Sequence, residues 1–135
     1  MDCIFCKIIS GEIKSKFLKE TEHSVSFLDA FPLASGHALV IPKKHHQKIQ
    51  DMSIQENTDL FSLVHEMISN VDKITGSTLI AIHNGKEAGQ EIPHVHVHLV
   101  PRSKNDSAGA IHSMFNSAVT LSESEMDDLY NKLKI

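Results

Sequence analysis

Three histidines alternate with apolar residues in the segment His94-Val95-His96-Val97-His98-Leu99-Val100. A period of two is the spacing of a strand, in which successive side chains point to opposite faces and residues two apart lie roughly 6.5–7 Å from each other. Val95, Val97 and Leu99 are therefore expected to turn into a core, and the three imidazoles to line the other face. A buried apolar face fixes the register, because a slip of one residue would bury the imidazoles instead. Such a scaffold holds a row of imidazoles without needing their cooperation, which is the rigidity a reactive site requires.

The remaining pattern predicts what surrounds this strand. A short helix is expected after Asp2 as N-cap, with Ile4, Phe5, Ile8 and Ile9 at helical spacing and a stop at Gly11. Residues 16–20 and 24–29 read as paired strands around Glu22-His23, with Val25, Phe27 and Asp29 on one face. Residues 31–36 form a loop, and His37 to Ile41 read as a buried strand stopped by Pro42. Ser53-Ile54-Gln55-Glu56 is a capping box. It opens an amphipathic helix carrying Leu60, Phe61, Val64, Met67, Ile68, Val71 and Ile74, ending before Gly76. Thr78 to Ile82 read as a strand, 83–90 as a loop with two glycines, and 95–100 as the histidine strand, ended by Pro101-Arg102. Residues 103–120 read as irregular. Ser122 with Glu125 caps a C-terminal helix containing Met126, Leu129 and Leu133. Strands arriving in hairpin-like clusters around one long helix predict an α+β fold, with a mostly antiparallel sheet of about five strands and the long helix packed on it. The whole chain, 1–135, is expected to form a single domain.

Composition excludes several classes of function. The chain has 135 residues, 41% hydrophobic and 22% charged, enough for a core and too ordinary for global disorder. The net charge of −4 and the lack of any Lys/Arg run longer than two disfavour a nucleic-acid surface. Apolar runs fall far short of the roughly 20 residues of a membrane span. Asp2, Lys7, Glu12 and Lys14 leave no apolar signal region, so a cytoplasmic protein is expected. Two cysteines do not make a disulfide scaffold.

A row of imidazoles has three uses: metal ligation, nucleophilic or acid–base chemistry, or a solvated polar face on an edge strand. The loop before it points to chemistry. Gly89-Gln90 precede the first of the three histidines by four residues. Glycines let backbone N–H groups approach an anion, and Asn84 and Gln90 add side-chain donors. A donor-rich loop facing a histidine row suits a phosphate attacked by a histidine.

The segment His94 to Val100 resembles the signature of the histidine triad (HIT) family, His-φ-His-φ-His-φ-φ with φ apolar. Cys3 to Ile9, Phe27-Leu28-Asp29, Gly36 to Lys43 and Asn84 to Gln90 are similar to further family blocks, in the same order. The resemblance covers roughly residues 1–102 and is nearest to the Hint-like branch and its prokaryotic relatives. It implies an α+β homodimer that hydrolyses purine nucleotides, of the nucleoside phosphoramidase type. The alternatives are a dinucleoside polyphosphate hydrolase, a nucleotide sensor with little turnover, and a zinc hydrolase using the three triad histidines as catalytic ligands. His96 resembles the nucleophile that forms a nucleotidyl-histidine, His98 the histidine that contacts phosphate, and His37 an upstream supporting histidine. Asp29 resembles the ribose-binding carboxylate, and Phe5, Ile8 and Phe27 the apolar walls around the purine. Asn84, Gly89 and Gln90 resemble the phosphate-side loop.

Cys3-x-x-Cys6 is a weak motif alone. Some family members bind zinc with such a pair, a histidine after the Pro-Lys strand end and the first triad histidine. The resemblance therefore implies a structural zinc on Cys3, Cys6, His45 and His94, which places His94 in both the catalytic row and the metal set. Glu91 stands where Hint enzymes of eukaryotic type carry a small hydroxyl residue, and Ala30 replaces a larger aliphatic residue. His23, His65, His83 and His112 receive no role.

Overall fold

The computed structural model describes residues 2–135. The chain divides into two compact units, one ending at Lys104 and the other Asn105–Ile135.

In the first unit, helix α1 (Ile4–Ile9) is followed by strands β1 (Phe17–Glu20), β2 (Ser24–Leu28) and β3 (Ala38–Pro42), helix α2 (Ile54–Thr75), and strands β4 (Thr78–Ala81) and β5 (Val97–Pro101). All pairings are antiparallel, and the sheet order is β1-β2-β3-β5-β4. The expected α+β architecture with five strands and one long helix is what the chain forms.

Helix α2 begins as the capping box requires. Ser53 Oγ accepts from the Glu56 N–H, and Glu56 Oε1 accepts from the Ser53 N–H, both at 3.0 Å. It ends at Gly76, whose φ of 87° is the left-handed conformation that glycine adopts without a Cβ penalty. Its inward stripe is Leu60, Leu63, Val64, Met67 and Val71. Phe61 and Ile74, expected on that stripe, are exposed, and Leu63 replaces them. The stripe packs on Ala38, Val40, Val95, Val97 and Leu99. Burial of a side chain such as Leu99 contributes roughly 1.5–3 kcal/mol, so the apolar positions set the register of the histidine segment.

The opposite face of the sheet is not open, as a solvated imidazole row would require. Val25, Phe27, Leu39 and Ile41 pack there against Cys3, Phe5 and Ile8 from the α1 segment. Leu39 pairs with His98 across β3 and β5, so the imidazole shares this covered face. Two boundaries also differ from expectation. Cys3, not Asp2, is the N-cap of α1. Strand β5 starts at Val97, so His94 and His96 lie in the approach to the strand, where the Val95 N–H donates to His46 O at 2.8 Å.

In the second unit, helix α3 (Glu123–Leu133) carries the expected Ser122/Glu125 capping box. A short 3-10 turn, Ile111–Met114, lies within the stretch read as irregular. Among the described residues no helix is long and apolar enough to cross a membrane.

Candidate active site

The histidines on the covered face are linked by hydrogen bonds that fix their tautomers. The Leu33 N–H donates to His37 Nδ1 at 3.0 Å, so that nitrogen carries no proton. In a neutral ring the proton of His37 is then on Nε2, which donates to His98 Nδ1 at 3.0 Å. His98 in turn keeps its proton on Nε2. His96 is set separately: its Nδ1–H donates to the carbonyl of His94 at 2.7 Å. The lone pair of His96 is therefore on Nε2. The rings of His96 and His98 stand 4.9 Å apart, so a basic nitrogen and an N–H donor come from neighbouring side chains.

These tautomers require neutral rings, and the environment keeps them neutral. Burial lowers the pKa of His37, partly opposed by the Asp29 carboxylate 3.5 Å away. Burial also lowers that of His96, opposed by its bond to the His94 carbonyl. His98 is pushed down to about 4, first by burial and then by repulsion from His96, His37 and His83.

His96 is 7% exposed, and that remaining surface faces a cavity of about 360 Å³. Asp29, His37, His83, Gly89, Glu91 and His98 also line this cavity, with Phe31, Leu33 and Ile92. Gly89 thus lines the same cavity as His96. Its φ is 107°, and a Cβ there would lie 3.2 Å from His83 Cδ2, so a side chain would push into the imidazole. The side chains of Asn84 and Gln90 do not behave as the expected phosphate donors. Gln90 Oε1 accepts from the Gly85 N–H at 3.0 Å, and its Nε2 donates to Gln47 O at 2.8 Å. Asn84 accepts from the Ile49 N–H at 2.9 Å and donates to Gln50 Oε1 at 3.0 Å. Both amides pin the loop, and the N–H groups of Ala88, Gly89 and Gln90 are likewise spent on the Gly85 and Lys86 carbonyls, so the loop shapes the cavity wall rather than offering those donors to an anion.

A second cavity of about 600 Å³ meets the first at Asp29. Its walls include Ile13, Phe17, Leu28 and Ala30, with Lys14 and Lys16. The expected purine walls, Phe5, Ile8 and Phe27, do not line it. They are 4%, 7% and 2% exposed and belong to the core. Phe5 instead sets its ring edge-on to His94 and His96, at 5.7 and 5.0 Å between centroids, and so packs the histidine row from behind. The sequence offers no signal for Ile13, Phe17 and Leu28 as cavity walls, since exposed apolar residues have no periodicity of their own.

The four residues expected to hold a metal lie together: the ligand atoms of Cys3, Cys6, His45 and His94 are all within 4.8 Å of one another. His94 Nε2–H donates to Pro42 O at 2.8 Å, which leaves its Nδ1 lone pair for a metal. That Nδ1 is 3.5 Å from Cys3 Sγ and 3.7 Å from Cys6 Sγ, and His45 Nδ1 is 3.4 Å from Cys6 Sγ. Metal bonds of about 2.3 Å to sulfur and 2.0 Å to nitrogen give a tetrahedral S···N edge of about 3.5 Å. The donor set fits a metal ion in both chemistry and size. Asp29, His37 and His98 also have ligand atoms within 4.8 Å. The Leu33 N–H on His37 Nδ1 makes that group a proton bridge, since ligation through Nε2 would put a second proton opposite the Leu33 N–H. Among the described residues the three triad histidines do not converge on one ion: His94 belongs to the cysteine quartet and His98 to the Asp29 group.

Comparison with known proteins agrees with this geometry. Residues 10–105 match a family model described as the HIT domain. The chain is 43% identical over 109 residues to an adenosine 5'-monophosphoramidase of Saccharomyces cerevisiae, covering 81% of this chain and 67% of that protein. It is 35% identical over 122 residues to an adenylylsulfatase of Arabidopsis thaliana, covering 89% of this chain and 62% of that one. The fold is similar to the crystal structure of a HIT family member from Bacillus subtilis, with a TM-score of 0.86, 29% identity, and coverage of 98% and 95%.

Proposed function

The chain belongs to the histidine triad (HIT) family, and on that premise we propose that it is a purine nucleotide hydrolase of the nucleoside phosphoramidase type, acting through a covalent nucleotidyl-histidine at His96. The observation that carries this reading is the His96 Nδ1–H bond to the His94 carbonyl, which leaves a basic Nε2 at the cavity. Relatives named as a phosphoramidase and an adenylylsulfatase support hydrolysis at a nucleotide phosphorus.

In this mechanism the purine occupies the cavity walled by Ile13, Phe17 and Leu28, and Asp29, at the junction of the two cavities, accepts hydrogen bonds from the ribose hydroxyls. The α-phosphate then lies over the histidines. His98 Nε2–H donates to one of its oxygens, and His37 holds His98 in the required tautomer. His96 Nε2 attacks phosphorus as the bond to the leaving group breaks. The imidazolium formed at His96 is stabilised through its Nδ1–H by the His94 carbonyl. Water then displaces His96 and releases the nucleotide. Splitting one displacement into two is the advantage of nucleophilic catalysis.

The metal we assign to Cys3, Cys6, His45 and His94 is a structural zinc. When bound, it ties α1 to the residue whose carbonyl orients His96. All four ligand positions are filled by protein, so it performs no chemistry. We further assign a homodimer joined at β4, an edge strand that exposes Leu79 and Ile80. A sedimentation mass near twice 15.0 kDa checks this.

The test of the reaction is adenosine 5'-phosphoramidate hydrolysis by wild type and His96→Gly. The variant is expected to keep AMP affinity and lose more than about a thousandfold in kcat. A quenched reaction of the wild type should carry a nucleotide adduct on His96 by mass spectrometry. Undiminished turnover by the variant would sink the assignment.

A further inference from the structure

We propose that His83 is the general acid of this reaction, the group that gives the departing amine its proton; the proposal rests on the reading of His96 as nucleophile. The need for such a group follows from the tautomers. The imidazoles of His37, His96 and His98 each carry one proton, and each proton is held in place. Were His98 to surrender its Nε2 proton it would become an imidazolate, since its Nδ1 carries none. His37 cannot replace that proton without the same deficit. His96 keeps its Nδ1 proton on the His94 carbonyl and uses Nε2 to bond phosphorus. This constellation attacks and holds the phosphate but has no proton to give the nitrogen that leaves.

His83 lines the same cavity and is not committed in this way. Its ring lies 5.9 Å from that of His98, at 65° between planes. The space left by Gly89 seats it, with 3.2 Å between its Cδ2 and the Cβ that residue lacks. Among the described residues no protein group hydrogen-bonds its ring nitrogens. The backbone accounts for its place: Ala81 pairs with His98, and His83 follows two residues further along the chain. It lines the cavity that His96 and His98 also line, where the phosphate is held. The groups facing it are the imidazoles of His96, His98 and His37 and the carboxylates of Asp29 and Glu91, all in one cavity.

The step balances. His96 Nε2 forms the bond to phosphorus and the phosphorus–nitrogen bond breaks. Its electron pair takes the proton of the His83 imidazolium, and the amine leaves neutral. In the second step neutral His83 accepts a proton from the attacking water as the bond between His96 and phosphorus breaks. Both side chains return to their starting states.

The experiment measures release of the leaving group in a single turnover, for His83→Gln and wild type, on two adenylates. One is an alkyl phosphoramidate, whose amine must be protonated to leave. The other is the p-nitrophenyl ester, whose phenolate leaves without a proton. The variant is expected to lose about 10²- to 10⁴-fold on the phosphoramidate and little on the ester. Equal losses on both substrates, or no loss on the phosphoramidate, would overturn the assignment to His83. Failure of the wild type to release either group would overturn the proposed reaction and this role with it.

Discussion

Replacing His37 by phenylalanine keeps a ring of similar width and removes both nitrogens. His37 is 2% exposed, so water cannot take over its bonds. The Leu33 N–H lies near an exposed residue and can be solvated, which makes its loss inexpensive. The consequence is at His98, whose Nδ1 loses its 3.0 Å donor. A buried acceptor left without a partner costs about 1–3 kcal/mol. His98 can escape that cost by moving its proton to Nδ1, but its Nε2 lone pair would then face the phosphate oxygen it should bind. The shifted tautomer loses its hydrogen bond to the reacting phosphate, and returning to the productive one costs about the 1–3 kcal/mol of the unpartnered Nδ1. At 1.36 kcal/mol per factor of ten, kcat/KM should fall roughly 5- to 150-fold. Steady-state hydrolysis of adenosine 5'-phosphoramidate measures the loss, and nitrogen-15 spectra of the histidine side chains report the tautomer of His98. Wild-type His98 should show a protonated Nε2 and a bare Nδ1, and the variant a mixture. An unchanged kcat/KM would refute the relay. So would a loss of that size with the His98 tautomer unaltered, because the effect would then have travelled by another route.

Two further outcomes follow from the same site. Folded His98 takes a proton only near pH 4, whereas the unfolded imidazole takes one near 6.5. Between these values the unfolded chain binds more protons, so this contribution to stability is complete above about pH 6.5 and drains away as pH falls toward 4. The gap amounts to roughly 3 kcal/mol, and denaturant midpoints at about pH 7.5 and about pH 4.5 should differ accordingly; a flat profile would contradict the burial of a neutral His98. Removing the metal by chelation, or by Cys3→Ser, should lower Tm by roughly 10 °C, corresponding to about 3 kcal/mol. Metal analysis should find one equivalent of zinc in the wild type and much less in the variant, and equal Tm values would refute the structural role.

The fold was legible where local rules act alone. The capping boxes at Ser53 and Ser122 are chemical signatures within four residues, and both helices begin where those signatures stand. The alternation of His94 to Val100 gave the buried apolar face, because period two survives in any sheet. What covers the opposite face was not legible. Phe5, Ile8 and Phe27 look alike as core residues or as purine walls, and only the closure of α1 over β2 and β3 decides between them. Asn84 and Gln90 carry donors, but whether those donors meet a ligand or the chain depends on residues 47–50, which are distant in sequence. His83 shows the same limit from the other side. Nothing local distinguishes it from His65 or His112. It becomes a member of the site only through the register that sets Ala81 against His98, a relation between two strands that neither strand carries by itself. Local chemistry thus marks the histidine row, while long-range pairing determines which groups share its cavity. The proton donor we propose at His83 belongs to that second class, since it must stand across the bound phosphate from a nucleophile on another segment, the approach to β5.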